Sequence, residues 1–217
     1  MAATVGIGLM NAILLLCLFG AQNVPDGSLL FVENGCNAIE QYTDSSYTHV
    51  AIFVSGKVYE AKPPQVRVMT LDQWLSGMAR FNEGSISPAI VTVMKPEKPY
   101  SSEEVQRMSE YLRDKVGTPY SLAGYLKDIS VSGMHCSQLC SEALSRSGRF
   151  RLGSPSAHIS PNSLRFAVQV AYDAEIRVCV RVKPEYRRTS CQRVADWIES
   201  QGSHLEWTLQ EFLELSR

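Results

Sequence analysis

Gly133-Met134-His135-Cys136-Ser137-Gln138-Leu139-Cys140 is the stretch around which the chain is organised. It opens a run, Ser137 to Ser145, in which Leu139, Ala143 and Leu144 recur at helical spacing, so the periodicity predicts a helix with Cys136 in its first turn. The first turn of a helix carries unpaired backbone N–H groups and the positive end of the helix dipole, and both favour an ionised sulfur, the nucleophilic form of cysteine. The same N–H groups can hold an oxyanion. A catalytic reading also needs a base, and the best candidate is His49, far upstream.

His49 lies in Thr48 to Val54, a segment rich in β-branched and aromatic residues that reads as a buried strand. Ser55-Gly56 is a two-residue turn and Lys57 to Ala61 the return strand. A two-residue loop sets Val54 opposite Lys57 and Ala51 opposite Glu60, so Glu60 shares a sheet face with His49 as its diagonal neighbour. Diagonal pairs lie about 7–8 Å apart, within reach of a long side chain. A loop one residue longer would turn Glu60 to the other face. Taken singly, Cys136 reads as a small buried apolar residue and His49 as a hydrogen-bonded core histidine. Their conjunction suggests acyl transfer, with a nucleophilic cysteine, a histidine base and a third group that orients the histidine. Here His49 and Glu60 precede Cys136, the reverse of papain's order. His135, beside Cys136, is the fallback base; it and His158 read as surface or loop residues. Cys140 reads as core.

The remaining elements follow from local pattern. Pro25-Asp26-Gly27 is a turn into an apolar strand, Ser28 to Val32, and Cys36 to Tyr42 reads as one or two helical turns. After Pro63-Pro64, Val66 to Met69 reads as a strand and Thr70 as the cap of a helix from Leu71 to Met78. Ala89 to Met94 is strand-like. Ser101 with Glu104 fits a capping box for a helix running to about Val116, with Val105, Met108, Tyr111 and Leu112 on its buried stripe and Gly117 closing it. Gly117-Thr118-Pro119-Tyr120 is a turn, and Ser121 to Lys127 a short helical segment. Ser160-Pro161 starts a helix whose apolar contacts are Leu164, Phe166 and Val170. Ala174 to Val182 alternates, with Ile176, Val178, Val180 and Val182 on one face and Arg177 and Arg181 on the other. Past Pro184 the composition shifts, and two helices, Gln192 to Ser200 and Leu205 to Leu215, form an appendage.

In this order the segments resemble the permuted papain-like cysteine hydrolases of the YiiX type, relatives of bacterial cell-wall peptidases and of lecithin:retinol acyltransferase. The resemblance covers Pro25 to Pro161 and is carried by Gly27-Ser28-Leu29-Leu30-Phe31, Tyr47-Thr48-His49-Val50-Ala51-Ile52, Val58-Tyr59-Glu60-Ala61, Gly117-Thr118-Pro119-Tyr120, His135-Cys136-Ser137-Gln138-Leu139 and Ile159-Ser160-Pro161. It implies an α+β fold with an antiparallel sheet packed against the helix that bears the cysteine. It also implies Cys136 as nucleophile, His49 as base, Glu60 as third member and Tyr120 as a wall or hydrogen-bond donor for substrate. Ser28, Ser121 and Gln138 stand where the family usually has acidic residues.

Composition bounds the rest. With 217 residues, 45% hydrophobic and 20% charged residues and a formal net charge of −1, the chain suits one well-filled domain and has no basic stripe for nucleic acid. Four histidines and six cysteines make no zinc spacing, Cys136 and Cys140 being CxxxC, so neither a metal nor another cofactor is expected. Residues 1–21 form an apolar run that reads as a signal peptide or, near the roughly 17–25 residues a membrane span needs, an N-terminal anchor. The expected organisation is therefore leader or anchor (1–21), catalytic domain (22–183) and helical appendage (184–217), exported or membrane-attached in the cell envelope or outside the cell. There Cys36, Cys140, Cys179 and Cys191 could pair. The expected activity is hydrolysis of an amide, or less readily a thioester or ester, in a small-molecule, lipid or cell-wall-type acyl substrate. An acyltransferase using the same acyl-cysteine and a non-catalytic envelope-binding module are the alternatives.

Overall fold

The computed structural model describes residues 24–36, 40, 43–83, 85–123, 125, 133–151 and 156–181. Its elements are β1 (Ser28–Glu33), β2 (Tyr47–Val54), β3 (Lys57–Lys62), β4 (Gln65–Met69), α1 (Leu71–Phe81), β5 (Ile90–Pro96), α2 (Ser102–Lys115), α3 (Cys136–Ser147), a 3-10 turn (Ser156–His158), α4 (Pro161–Val168) and β6 (Tyr172–Val178). The strands form one sheet in the order β4-β3-β2-β1-β5-β6, each pair antiparallel.

Both faces of the sheet are covered, which is why β1 reads as a continuous apolar run with every residue buried rather than an alternating one. Leu29, Phe31, Val50 and Ile52 pack with Leu112 of α2, Leu139 and Leu144 of α3 and Leu164 of α4. Leu30, Ala51, Val58 and Val93 pack on the other side with Trp74, Leu75 and Ala79 of α1. α1 and α2 start at the capping boxes of Thr70 with Gln73 and Ser101 with Glu104, each satisfying two backbone donors that a helix start leaves over.

Three local devices bring distant segments to one edge. The β2–β3 turn has positive φ at both Ser55 (52°) and Gly56 (72°), the turn whose twist matches a hairpin, and it sets Val54 opposite Lys57. The β2–β3 ladder runs from there only to Ile52 opposite Tyr59. Beyond it the carbonyl of Val50 accepts the Cys140 thiol at 3.8 Å, so α3 occupies the place where the hairpin stops pairing. The third device is the Gly117–Ser121 segment. It bonds to β4 through Gly117 N–H to Val66 O (2.9 Å) and Tyr120 N–H to Pro64 O (2.9 Å), and Met134 N–H donates to Pro119 O at 3.0 Å. Gly133 passes so close that a Cβ there would lie 2.6 Å from Ser121 Cβ and 2.9 Å from Pro119 O. Glycine is required by that approach, and the contact delivers the chain to Cys136.

Several expectations change. Leu164 of α4 is buried, but Phe166 and Val170 are 58% and 86% exposed, and Val168 takes the second core position. Helical spacing from Leu164 reaches Val168, whereas Phe166 lies two residues round the helix from Leu164. His135 is 3% exposed, not on the surface. β6 ends at Val178, and the carbonyl of Val180 accepts from Asn82 Nδ2 at 2.9 Å instead of continuing the ladder. Cys36, Cys136, Cys140 and Cys179 are unpaired thiols. The leader, most of the Cys36–Tyr42 segment, part of the Ser121–Lys127 segment, Val182, Cys191 and the appendage lie outside the described residues. Among the described residues no helix is long and apolar enough to cross a membrane.

Gly133→Ala is expected to lower stability by about 1–3 kcal/mol through overpacking. Gly77→Ala, with open space at an exposed interior position of α1, should raise it by about 0.5–1 kcal/mol. Urea denaturation of the two variants checks both signs.

Candidate active site

α3 starts at Cys136 because His135 caps it. His135 is extended (φ −105°, ψ 173°) and its Nδ1 accepts the Gln138 N–H at 3.4 Å, while Gly148 in the left-handed conformation ends the helix. Cys136 is thus the first helical residue, 3% exposed, with the Ser137 hydroxyl 3.8 Å from its sulfur. The backbone N–H groups of this first turn have no partner within the helix except where the cap supplies one.

His49 meets the site from β2. Its Nε2 is 2.7 Å from Glu60 Oε2, the diagonal pairing that the two-residue hairpin loop dictates. With Nε2 engaged, Nδ1 is the nitrogen left for the sulfur of Cys136, the group whose charge acts on this ring together with that of Glu60. Glu60 is 2% exposed and held at both oxygens. Oε1 accepts from Arg67, directly opposite on β4, at 2.7 Å from Nε and 2.5 Å from a terminal nitrogen; Oε2 accepts from the Trp74 indole N–H of α1 at 3.0 Å.

These contacts decide the charges. Burial alone would lower the His49 pKa, but the neighbouring Cys136 sulfur and the hydrogen-bonded Glu60, with their negative charges, raise it to about 9. Burial would raise the Cys136 thiol; the neighbouring imidazoles of His135 and His49, with the charge of His49, bring it well below its ordinary value. Burial would likewise raise Glu60, and the bond and charge of His49, helped by Arg67 and Trp74, hold it far below the usual carboxylate range. We assign the decisive role at the sulfur to His49. The His135 Nε2 faces the Ala157 carbonyl at 2.9 Å and so carries a proton, and its Nδ1 lone pair takes the Gln138 N–H, which leaves that ring no second proton to give the sulfur.

Of the three expected site residues, His49 and Glu60 are therefore in direct contact, and Cys136 heads the helix beside them. Tyr120 is 7% exposed and packs in the same apolar cluster as Cys136, its backbone bridged to Met134. Arg67 and Trp74 were not singled out in the sequence. Arg67 had a usable signal, since a two-residue Pro63-Pro64 turn sets Glu60 opposite it by the same counting that sets Ala51 opposite Glu60. Trp74 had none beyond a place on an amphipathic helix. Among the described residues no group of three or more His, Cys, Asp or Glu side chains is disposed to hold a metal ion.

Residues 23–157 match the family model of the permuted papain-like amidase enzymes, the YaeF/YiiX, C92 family. The chain belongs to this family. Its mixed helix-and-strand architecture, with an antiparallel sheet against the cysteine helix, is the papain-like fold, and its family is one of amidases, a class of hydrolase. The chain is also similar to the crystal structure of the metalloprotein YiiX from Escherichia coli O157:H7, with 19% identity and a TM-score of 0.48 over 73% of this chain and 98% of that one. No curated protein sequence matches it significantly.

The pair of shifts makes a pH prediction. With Cys136 depressed, its alkylation by iodoacetamide at pH 6 should stay near the plateau rate, where a thiol of ordinary pKa (~8.5) would react roughly 300-fold below its own plateau. The raised His49 pKa stabilises the fold fully below its unfolded value of 6.5, and that stability is lost as pH rises through about 9. A pH series of alkylation and melting measures both.

Proposed function

We propose that this chain is a cysteine amidase in which Cys136 is the nucleophile, His49 the acid and base and Glu60 the group that orients and charges His49. What supports the reading is the Glu60–His49 contact at 2.7 Å, together with a His49 pKa pushed up and a Cys136 pKa pushed down, which favour a thiolate beside an imidazolium.

The thiolate attacks the amide carbonyl and forms the C–S bond, and negative charge develops on the carbonyl oxygen. The Cys136 N–H, at the positive end of α3, is placed to receive that charge. His49 passes its Nδ1 proton to the leaving nitrogen as the C–N bond breaks, giving an amine and an acyl-cysteine. Neutral His49 then takes a proton from water, whose oxygen attacks the thioester carbon, and the thiolate departs with the carboxylic acid as product. Through both half-reactions Glu60 stays ionised, because four donor groups from three residues surround its carboxylate. Burial of the sulfur keeps bulk water from the thiolate, while the His49 side chain remains 17% exposed.

The test is turnover of N-acyl amides with intact-mass detection of the acyl-enzyme. Cys136→Ala is expected to abolish turnover and the adduct at unchanged melting temperature. Glu60→Gln should leave a folded enzyme slower by roughly 10–100-fold, below most of the roughly 100–10,000-fold span of general acid–base contributions because His49 itself is retained. Equal turnover by wild type and Cys136→Ala on one amide would overturn the assignment.

A further inference from the structure

The triad accounts for His49, Glu60 and Cys136 but leaves a side chain against the sulfur unused. The Ser137 hydroxyl lies 3.8 Å from Cys136 Sγ, and Ser137 is fully buried. It hydrogen-bonds to nothing else among the described residues. Buried hydroxyls are satisfied as a rule, so the sulfur is the partner of this one.

The other serines of α3 behave differently. Ser141 Oγ donates to Gln138 O at 3.0 Å, Ser145 Oγ to Ser141 O at 2.9 Å and Ser147 Oγ to Leu144 O at 2.6 Å, each reaching a carbonyl three or four residues back in the helix. Ser137 stands second in α3, so the carbonyls at that distance behind it belong to Gly133 and Met134, ahead of the helix, and Met134 O already accepts the Ser121 N–H at 3.2 Å. Its hydroxyl turns to the sulfur instead. Alanine would fill nearly the same space without burying a hydroxyl, so a space-filling role does not account for serine here. The direction of the bond follows from the charge. In the thiol form either atom can donate, but an ionised sulfur has no proton and the hydroxyl becomes the donor. A hydrogen bond to an ionised partner is the stronger kind, so this one is strongest in the thiolate and weakens when the sulfur carries an acyl group. Such a donor favours the second half-reaction, in which the thiolate leaves the tetrahedral carbon.

We propose that Ser137 is a further catalytic residue, a hydroxyl donor that holds Cys136 as a thiolate in the resting enzyme and receives it again as the leaving group when the thioester is hydrolysed. This rests on the cysteine-amidase reading for its chemical step. Ser137 gives a hydrogen bond and no proton: the C–S bond breaks with its electron pair going to the sulfur, and the proton transfers stay with His49.

The test uses the full chain. Modification of Cys136 by iodoacetamide is followed by peptide mapping across a pH series in wild type, Ser137→Ala and Ser141→Ala; the last removes a buried hydroxyl of the same helix that faces a carbonyl and not the sulfur. Ser137→Ala should react about tenfold slower than wild type on the acid limb and match or exceed it on the plateau, its midpoint moved up by about one pH unit at an unchanged melting temperature. Ser141→Ala should follow wild type. An unchanged midpoint in Ser137→Ala overturns the inference, as does the same shift in Ser141→Ala, or a fall of equal size at every pH, which would mean that the sulfur has been displaced. Failure of the amidase reading shows separately, as no acyl-enzyme and no amide turnover in a protein whose Ser137→Ala shift is intact.

Discussion

A carboxylate only 2% exposed, at Glu60, is tolerable in a protein interior only if donors replace the water it has lost. Arg67 supplies two, Trp74 one and His49 one, and the three residues come from β4, α1 and β2. The sheet edge is arranged to make that convergence possible. Were the carboxylate to take up a proton, His49 would lose a negative charge that raises its pKa, and Cys136 in turn a positive charge that lowers its own. A buried anion two links from the sulfur thus bears on how readily the sulfur gives up its proton.

The helix that carries the sulfur reaches this edge by an unusual accommodation. Its core residues pack on one face of the sheet, whereas His49 and Glu60 belong to the face that α1 covers. They meet where the β2–β3 ladder ends, and the Cys140 thiol there takes the Val50 carbonyl that β3 no longer serves. Cys140 is therefore structural. The same edge is closed from the other side by the Gly117–Ser121 segment, tied to β4 and to Met134, so the approach to Cys136 is held at two points before the helix begins.

His135 shows how one side chain can serve two ends beside Cys136. Its backbone and Nδ1 form the helix cap, and its Nε2 ties the cap to the turn at Ala157. That turn is anchored in its own right, because Ser156 donates to Glu142 at 2.5 Å, and Tyr111 of α2 donates to the same carboxylate at 2.5 Å. The start of α3 is thereby fixed to α2 and to the segment that leads into α4, and a thiolate at that start inherits their rigidity.

Much of this was legible in the chain itself, for identifiable reasons. Side chains alternate with period two along a strand, so a two-residue loop at Ser55-Gly56 sufficed to put His49 and Glu60 on one face, and Ser101 with Glu104 or Thr70 ahead of Leu71 marked helix starts by donors that only a nearby side chain can satisfy. Such features depend on neighbours in sequence. The burial of His135, the exposure of Phe166 and Val170 and the indole of Trp74 over Glu60 depend on which surfaces come together, and no local pattern carries that information. Local chemistry determined which groups could react; the meeting of β2, β3, β4, α1 and α3 at one sheet edge decided their charges, because a pKa is set by what surrounds a group in space and not by what adjoins it along the chain.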